Sequence, residues 1–141
     1  PGVKALGRVA GVTVTGKVPD IRPYLAGAAL AVAPLRIARG VQNKVLEAMA
    51  MARPVVAAAS CVDAIDARPD HEILAATDAA EHAAGIAELL ADRQRATAVG
   101  LAGRACVLAR YSWPARLAEL DHELARALAP GAAAAPEVAH A

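Results

Sequence analysis

Residues 30–60 read LAVAPLRIARGVQNKVLEAMAMARPVVAAAS, and they are the most informative part of the chain for its architecture. The stretch begins with an apolar run of strand length at residues 30–35 and ends with another at residues 54–60. Continuous apolar runs of this length are typical of strands that are covered on both faces of a sheet. From Asn43 onward, apolar side chains recur at helical spacing until Pro54 ends the helix. The stretch therefore predicts two parallel strands joined by a helix.

The segments on either side continue this alternation of strands and helices. Residues 12–16 (VTVTG) alternate β-branched residues and end in glycine, which predicts a strand followed by a turn. Asp20 is predicted to cap a short helix that has Pro23 near its first turn. Residues 71–77 predict a further weak strand or an extended segment. The sequence thus predicts an α/β fold, a Rossmann-like parallel sheet with helices on both faces.

The chain after residue 78 is predicted to be helical as far as residue 128. Gly100 and Gly103 lie inside the second of these helices, where glycine is unfavourable. Ser112 is predicted to cap the third helix, which carries a stripe of leucines. The predicted helices cover residues 79–90, 93–110 and 113–128, and the stripe consists of Leu117, Leu120, Leu124 and Leu128.

The composition limits the class of protein. The 141 residues have the length of one domain, which we place at residues 1–128, before a low-complexity tail at residues 129–141 that we expect to be disordered. A net charge of +1 offers no basis for nucleic-acid binding. Cys61 and Cys106 lie far apart in the sequence, so we expect two reduced thiols in a cytoplasmic protein. The histidines share no metal-binding spacing with cysteines or carboxylates, and we expect no metal site.

The loop between the strand predicted at residues 30–35 and the helix predicted from Asn43 has the composition of a phosphate site. In parallel sheets, ligands bind beyond the carboxyl ends of the strands, which is where this loop lies. Gly40 lets the backbone approach an anion, and Asn43 and Lys44 add donors at a helix start. Glu47, one turn further on, is an acceptor suited to the two hydroxyl groups of a ribose. A solvated helix start, with Glu47 paired to Lys44 or Arg53, is the alternative that these residues leave open.

Two consecutive runs resemble a known family. They are GKVPDIRPYLAGAALAVAPL at residues 16–35 and RIARGVQNKVLEAMAMARPVV at residues 36–56. Both resemble the C-terminal donor-binding domain of the retaining GT-B glycosyltransferases of the family 4 type. The second run is similar to that of sugar transferases from bacterial exopolysaccharide clusters that accompany exosortase systems. The resemblance covers about residues 7–128.

The resemblance implies an activity and a set of site residues. It implies transfer of a sugar, with retention, from a nucleoside-diphosphate-sugar to a lipid- or saccharide-linked acceptor in exopolysaccharide synthesis. No metal or other cofactor is implied. Glu47 is implied to bind the ribose, and Lys44 to stabilise the leaving diphosphate. The other implied nucleotide-sugar contacts are Val18, Pro19, Gly40, Val41, Gln42 and Asn43, with Ser60 as a minor contact.

The chain departs from the family pattern in this loop, where Val41 and Gln42 stand in place of a Phe-Gly pair and the family's first glutamate is also replaced. Many members carry a glutamate eight residues before the ribose glutamate, where this chain has Arg39. An arginine there is suited either to a phosphate or to an anionic acceptor, and both interpretations stay open. We therefore take Arg39 and Lys44 as the candidate catalytic residues. Two other functions remain as alternatives: a sugar-nucleotide epimerase of GT-B architecture, and a non-catalytic interaction module, which the arginine favours.

The resemblance also implies a second domain. Members of the family have an N-terminal acceptor domain, which supplies a further basic pair for the phosphates. Because this chain begins with Pro1, we expect it to be part of a longer protein and to be inactive alone. The helix after Ser112 is implied to pack against that missing domain. We expect a cytoplasmic protein that reaches the inner membrane through the missing half.

Overall fold

The computed structural model describes residues 2–37 and 40–128 and contains a three-stranded parallel sheet. The strands are β1 at Ala31–Ala33, β2 at Val55–Ala58 and β3 at Leu74–Ala76, in the spatial order β1-β2-β3. In register, Val32 pairs with Val56 across the first ladder, and Val56 pairs with Leu74 across the second. The predicted parallel sheet is therefore confirmed.

Helices precede, connect and follow these strands. In the described residues they are α1 (Gly2–Leu6), α2 (Arg22–Gly27), α3 (Asn43–Ala50), α4 (Ala59–Ala64), α5 (Ala79–Ala91), α6 (Arg93–Tyr111) and α7 (Trp113–Leu128). The predicted helix start at Asn43 and the three predicted C-terminal helices are confirmed. Ser112 precedes α7, and its Oγ accepts a hydrogen bond from the Ala115 N–H at 3.3 Å, as expected of an N-cap. No helix in the described ranges is both long and apolar enough to cross a membrane.

Helices cover both faces of the sheet, as the sequence predicts. The side chains of Val55 and Ala57 join a buried cluster that includes Val45 and Met49 of α3. Val56, which points the other way, joins a second cluster that includes Leu89 of α5 and Val99 of α6. The alternation along β2 explains why an uninterrupted apolar run is needed in the central strand.

The coverage of β1 is less complete than its apolar run predicts. The strand is limited to Ala31–Ala33 and lies at the edge of the described sheet. Val32 is 41% exposed, because α5 packs against β2 and β3 and does not extend over β1. The prediction of two covered faces is therefore wrong for this strand.

The strand predicted at residues 12–16 is absent from the described part of the chain. The backbone there pairs with no described strand, and its side chains are exposed or half-buried. A run of β-branched residues becomes a strand only when a neighbouring strand completes its backbone hydrogen bonds. The local sequence pattern alone was therefore insufficient to predict a strand at residues 12–16.

The start of α2 differs slightly from its prediction. The N-cap residue is Ile21, and Pro23 occupies the first turn as expected. Asp20 accepts a hydrogen bond from the Arg22 N–H at 2.9 Å and pairs with the Arg22 guanidinium at 2.8 Å. Asp20 therefore supports the start of α2 from the position before the N-cap residue, and it is not the N-cap residue that the sequence predicted.

Two glycines let α6 approach the rest of the molecule closely. A Cβ atom on Gly103 would lie 2.7 Å from the Glu72 carbonyl oxygen, closer than real Cβ atoms come. A Cβ atom on Gly100 would overlap the Ala52 carbonyl group, with its carbon only 3.0 Å away. These residues are unfavourable for an isolated helix, but they permit its packing here.

Candidate functional site

The loop before α3 has a left-handed backbone at Gly40. Its φ of +66° is a conformation that glycine adopts without strain, and open space surrounds the position of a Cβ atom. The Gln42 side chain donates from Nε2 to the Gly40 carbonyl oxygen at 3.2 Å. Gln42 is also the N-cap residue of α3, with an extended backbone. The loop therefore turns into the helix just beyond the carboxyl end of β1.

The two sides of α3 have different roles. Val45, Ala48 and Met49 are buried against the sheet and α6. Lys44 and Glu47 are exposed on the opposite side, together with the more upstream Asn43. This division confirms the apolar and polar faces that the spacing of the residues predicts.

The first turn of α3 is suited to a negatively charged ligand. Its first backbone hydrogen bonds run from the N–H groups of Val45 and Leu46 to the Gln42 carbonyl oxygen. The N–H groups of Asn43 and Lys44 precede these bonds and have no acceptor within the helix. No described side chain caps this helix start, and its first turn contains no acidic residue. The partial positive charge of the helix start is therefore not offset by a neighbouring carboxylate.

The start of α5, on the same edge of the sheet, is built differently. Asp78 Oδ1 accepts a hydrogen bond from the Glu81 N–H at 2.9 Å, and Glu81 Oε2 accepts one from the Thr77 N–H at 2.6 Å. The bonds from the Thr77 hydroxyl and from the Thr77 N–H hold the pKa of the Glu81 carboxyl below its ordinary value. Two carboxylates therefore accept hydrogen bonds from N–H groups at the start of α5 and offset its partial positive charge. The start of α3 is the better place for a phosphate.

The charge of Lys44 affects a buried thiol of α4. Burial raises the pKa of the Cys61 thiol, and the Lys44 ammonium opposes that rise. Cys61 lies in α4, immediately after β2, and Ser60 beside it is exposed. Both Cys61 and Cys106 are free, buried thiols.

Glu47 is not engaged by the cations proposed in the solvated interpretation. No described residue forms an ion pair with Glu47 or with Lys44. Arg53 instead donates to the carbonyl oxygens of Ala28, at 3.1 Å, and Met51, at 3.3 Å. The carboxylate of Glu47 is consequently exposed and available to a ligand.

The remaining predicted contacts are less closely grouped. Val41 is exposed next to Gln42, whereas Val18 and Pro19 lie in the turn before α2, half-buried and exposed respectively. No hydrogen bond between described residues links that turn to Asn43 or Glu47. The prediction for Arg39 falls outside the described residues.

One contact of α3 was not predicted. The Arg104 side chain on α6 donates from Nη1 to the carbonyl oxygen of Ala50, the last residue of α3. The two residues are 54 positions apart, and no local pattern connects them.

Two grooves of the described chain lie away from residues 40–47. One groove in the described chain runs between the residues around Ala28 and the start of α6, and another lies between α1 and residues 12–16. Neither includes any of residues 40–47. Among the described residues, no group of three or more His, Cys, Asp or Glu side chains is arranged to hold a metal ion.

The chain matches the model of one known protein family. A model of the family described as "Glycosyl transferases group 1" matches residues 2–92, a segment that contains all three described strands and α3. Comparisons with curated proteins and with solved structures gave no match.

Proposed function

The chain belongs to the group 1 glycosyl transferases, and from that premise we propose that it binds the nucleoside diphosphate of a sugar donor at the start of α3. The observation that carries this proposal is the first turn of α3, which has no side-chain cap and no acidic residue and which carries Lys44. A helix start of this kind favours phosphate through its N–H groups and its partial positive charge.

Each residue of the site then has a specific role. Gly40 allows the loop backbone to approach the diphosphate, and the Asn43 N–H group and the Lys44 ammonium bind its oxygens. Glu47, one helical turn further on, accepts hydrogen bonds from the two ribose hydroxyl groups. Val18 and Pro19 border the base, and Val41 and Gln42 contact the sugar side of the donor. Arg39 meets a phosphate or an anionic acceptor in this proposal.

The chemistry assigned to the site is electrostatic. In the transfer, the bond from the anomeric carbon to the diphosphate oxygen breaks, and the diphosphate leaves with the electron pair. An acceptor hydroxyl forms the new bond to the anomeric carbon and gives its proton to an oxygen of the departing diphosphate. Negative charge therefore grows on the diphosphate, where Lys44 and the helix start stabilise it without rearrangement. Glu47 orients the donor and exchanges no proton.

The finer features of the reaction are part of the same proposal. We assign retention of configuration and a lipid- or saccharide-linked acceptor of exopolysaccharide synthesis, because the stretch at residues 36–50 resembles transferases of that kind. The acceptor site and further phosphate contacts are assigned to an N-terminal domain of a longer protein. Free thiols at Cys61 and Cys106 suit a reducing, cytoplasmic location.

A nucleotide titration tests the proposal. We expect UDP, GDP or ADP to cause saturable amide chemical-shift changes centred on residues 40–47, with one base favoured over the others. The chain alone is expected to release no transferred sugar and no epimerised donor, because half of the site is assigned to another domain. Shifts centred elsewhere, or none with any of the three nucleotides in a folded chain, would contradict the assignment.

A further inference from the structure

Helix α6 holds α3 at the end opposite the candidate site. Arg104 donates to the carbonyl oxygen of Ala50, the last residue of α3. The Met49 side chain lies against Gly103, where a Cβ atom would come within 3.4 Å of its Cε. Gly100 lies against the carbonyl group of Ala52, in the turn that leaves α3. Three consecutive points of contact therefore fix the carboxyl end of this helix.

The Arg104 hydrogen bond completes the end of α3. The carbonyl oxygens of residues 47–49 accept bonds from the N–H groups of Met51, Ala52 and Arg53 in the turn that follows. Those bonds leave the Ala50 carbonyl to be satisfied by a side chain. A cation at this position also interacts favourably with the partial negative charge of the helix end.

Such support matters because α3 is short. It has 8 residues, which corresponds to a length of about 12 Å. Isolated helices of this size are marginal in water and depend on packing for their order. Loosening its last turn would therefore reach the first turn, where Lys44 lies, and the turn after it, which carries Glu47.

We propose that Arg104 is a positioning residue for the donor site: by holding the carboxyl end of α3, it keeps the first turn in the arrangement that binds a nucleoside diphosphate. The inference rests on the proposed function of that first turn. It concerns a residue of α6, outside the segment that the family model matches. Arg104 touches no substrate and acts through α3.

The structure offers a matched control on the same helix. Arg110 also lies on α6 and also donates to a backbone carbonyl oxygen, that of Asp66, while pairing with its carboxylate at 3.0 Å. It therefore makes the same kind of contact, but to the loop before β3 instead of α3. Comparing the two arginines separates support of α3 from general support by α6.

The experiment combines nucleotide titration with amide hydrogen exchange on the full chain. Arg104→Gln is expected to weaken binding of the favoured nucleoside diphosphate about fivefold and to speed exchange in α3 by a similar factor, as the loss of one exposed hydrogen bond would. Exchange in β2 is expected to stay unchanged. Arg104→Lys, which keeps a cationic donor, should restore both values to within about twofold of wild type. Arg110→Gln should leave binding and α3 exchange as they are.

Two results would overturn the inference, and neither depends on the other. Unchanged exchange in α3 of Arg104→Gln would show that the contact does not order the helix, whether or not a nucleotide binds. Equal loss of binding in Arg104→Gln and Arg110→Gln would show a general effect of α6. If wild type binds none of the nucleotides, the proposed function fails on its own, while the exchange comparison still tests the support of α3.

Discussion

Replacing Gly100 with alanine is expected to lower the free energy of unfolding by at least about 2 kcal/mol. The new Cβ atom would overlap the Ala52 carbonyl group and lie 3.3 Å from the Pro54 nitrogen. Both neighbours are backbone atoms between α3 and β2, so neither can move aside as a flexible side chain would. Alanine is the better helix former by about 1 kcal/mol, and the clash must first exceed that gain.

Gly27→Ala is the matched control for this substitution. Gly27 is also helical, at the end of α2, but no atom lies within 4 Å of the position of its Cβ. Urea unfolding of both variants, followed by circular dichroism, measures the difference. We expect Gly27→Ala to stay within about 0.5 kcal/mol of wild type. If Gly100→Ala is as stable as wild type, the close approach of α6 to the α3–β2 turn is wrong.

Replacing Glu72 with glutamine is expected to cost about 2 kcal/mol at neutral pH. Glu72 is a buried acid, 5% exposed, just before β3. Its carboxylate accepts bonds from the Arg68 N–H at 2.8 Å and from the Arg68 guanidinium at 2.8 Å. Glutamine has nearly the same size but turns an N–H₂ group toward one of these donors. That donor of Arg68 then loses its acceptor and faces the buried amide N–H₂ group instead, which is the costly part.

The effect of this substitution depends on pH in a defined direction. Burial acts to raise the pKa of Glu72, but the bonds from Arg68 and from the Cys106 thiol outweigh it, so the pKa is lowered from its ordinary 4.5. Asp66, His71 and Arg110 are the other titratable groups around this cluster. A lowered pKa stabilises the folded state above the unfolded value, and that contribution is lost as the pH falls through the folded value. The stability difference between wild type and Glu72→Gln should therefore be constant near neutral pH and shrink below pH 4.5.

Glu123→Gln provides the control for Glu72. Glu123 also pairs with an arginine close to it in the sequence, Arg126, at 3.0 Å, but its side chain is 57% exposed. Exposed pairs of this kind contribute little, so we expect a change under about 0.5 kcal/mol at neutral pH. Similar costs for both glutamates, or a Glu72 cost that does not vary with pH, would contradict the assignment of Glu72 as a buried, charged acceptor.

The sequence predicted the elements that local pattern determines. Asn43 as the start of α3 and Pro54 before β2 follow from apolar spacing and from the backbone chemistry of proline. Ser112 as a cap follows from its own side chain. The candidate site was predictable for the same reason, because Gly40 to Glu47 form one continuous stretch of the chain.

Features that depend on distant parts of the chain were not predictable in this way. From the sequence alone, Gly100 is unfavourable in a helix. Only the contact with the Ala52 carbonyl group shows why a glycine is needed there. Residues 12–16 read as a strand although no described strand pairs with them. The contact from Arg104 to Ala50 joins positions 54 residues apart, and only the packing of α6 on α3 brings them together. Tertiary contacts, and not local propensity, determine the structure at these positions.

The most direct test of the account is whether Glu47 recognises ribose. Wild type, Glu47→Ala and the control Glu123→Ala would be titrated calorimetrically with the favoured nucleoside diphosphate and with its 2′-deoxy form. We predict that wild type and Glu123→Ala bind the ribose form about tenfold more tightly, since a carboxylate accepts a strong hydrogen bond from the 2′-hydroxyl. In Glu47→Ala the ratio should fall to about one, because the group that distinguishes the two nucleotides is gone. If Glu47→Ala discriminates as well as wild type, Glu47 is not the ribose acceptor and the donor site is not at α3.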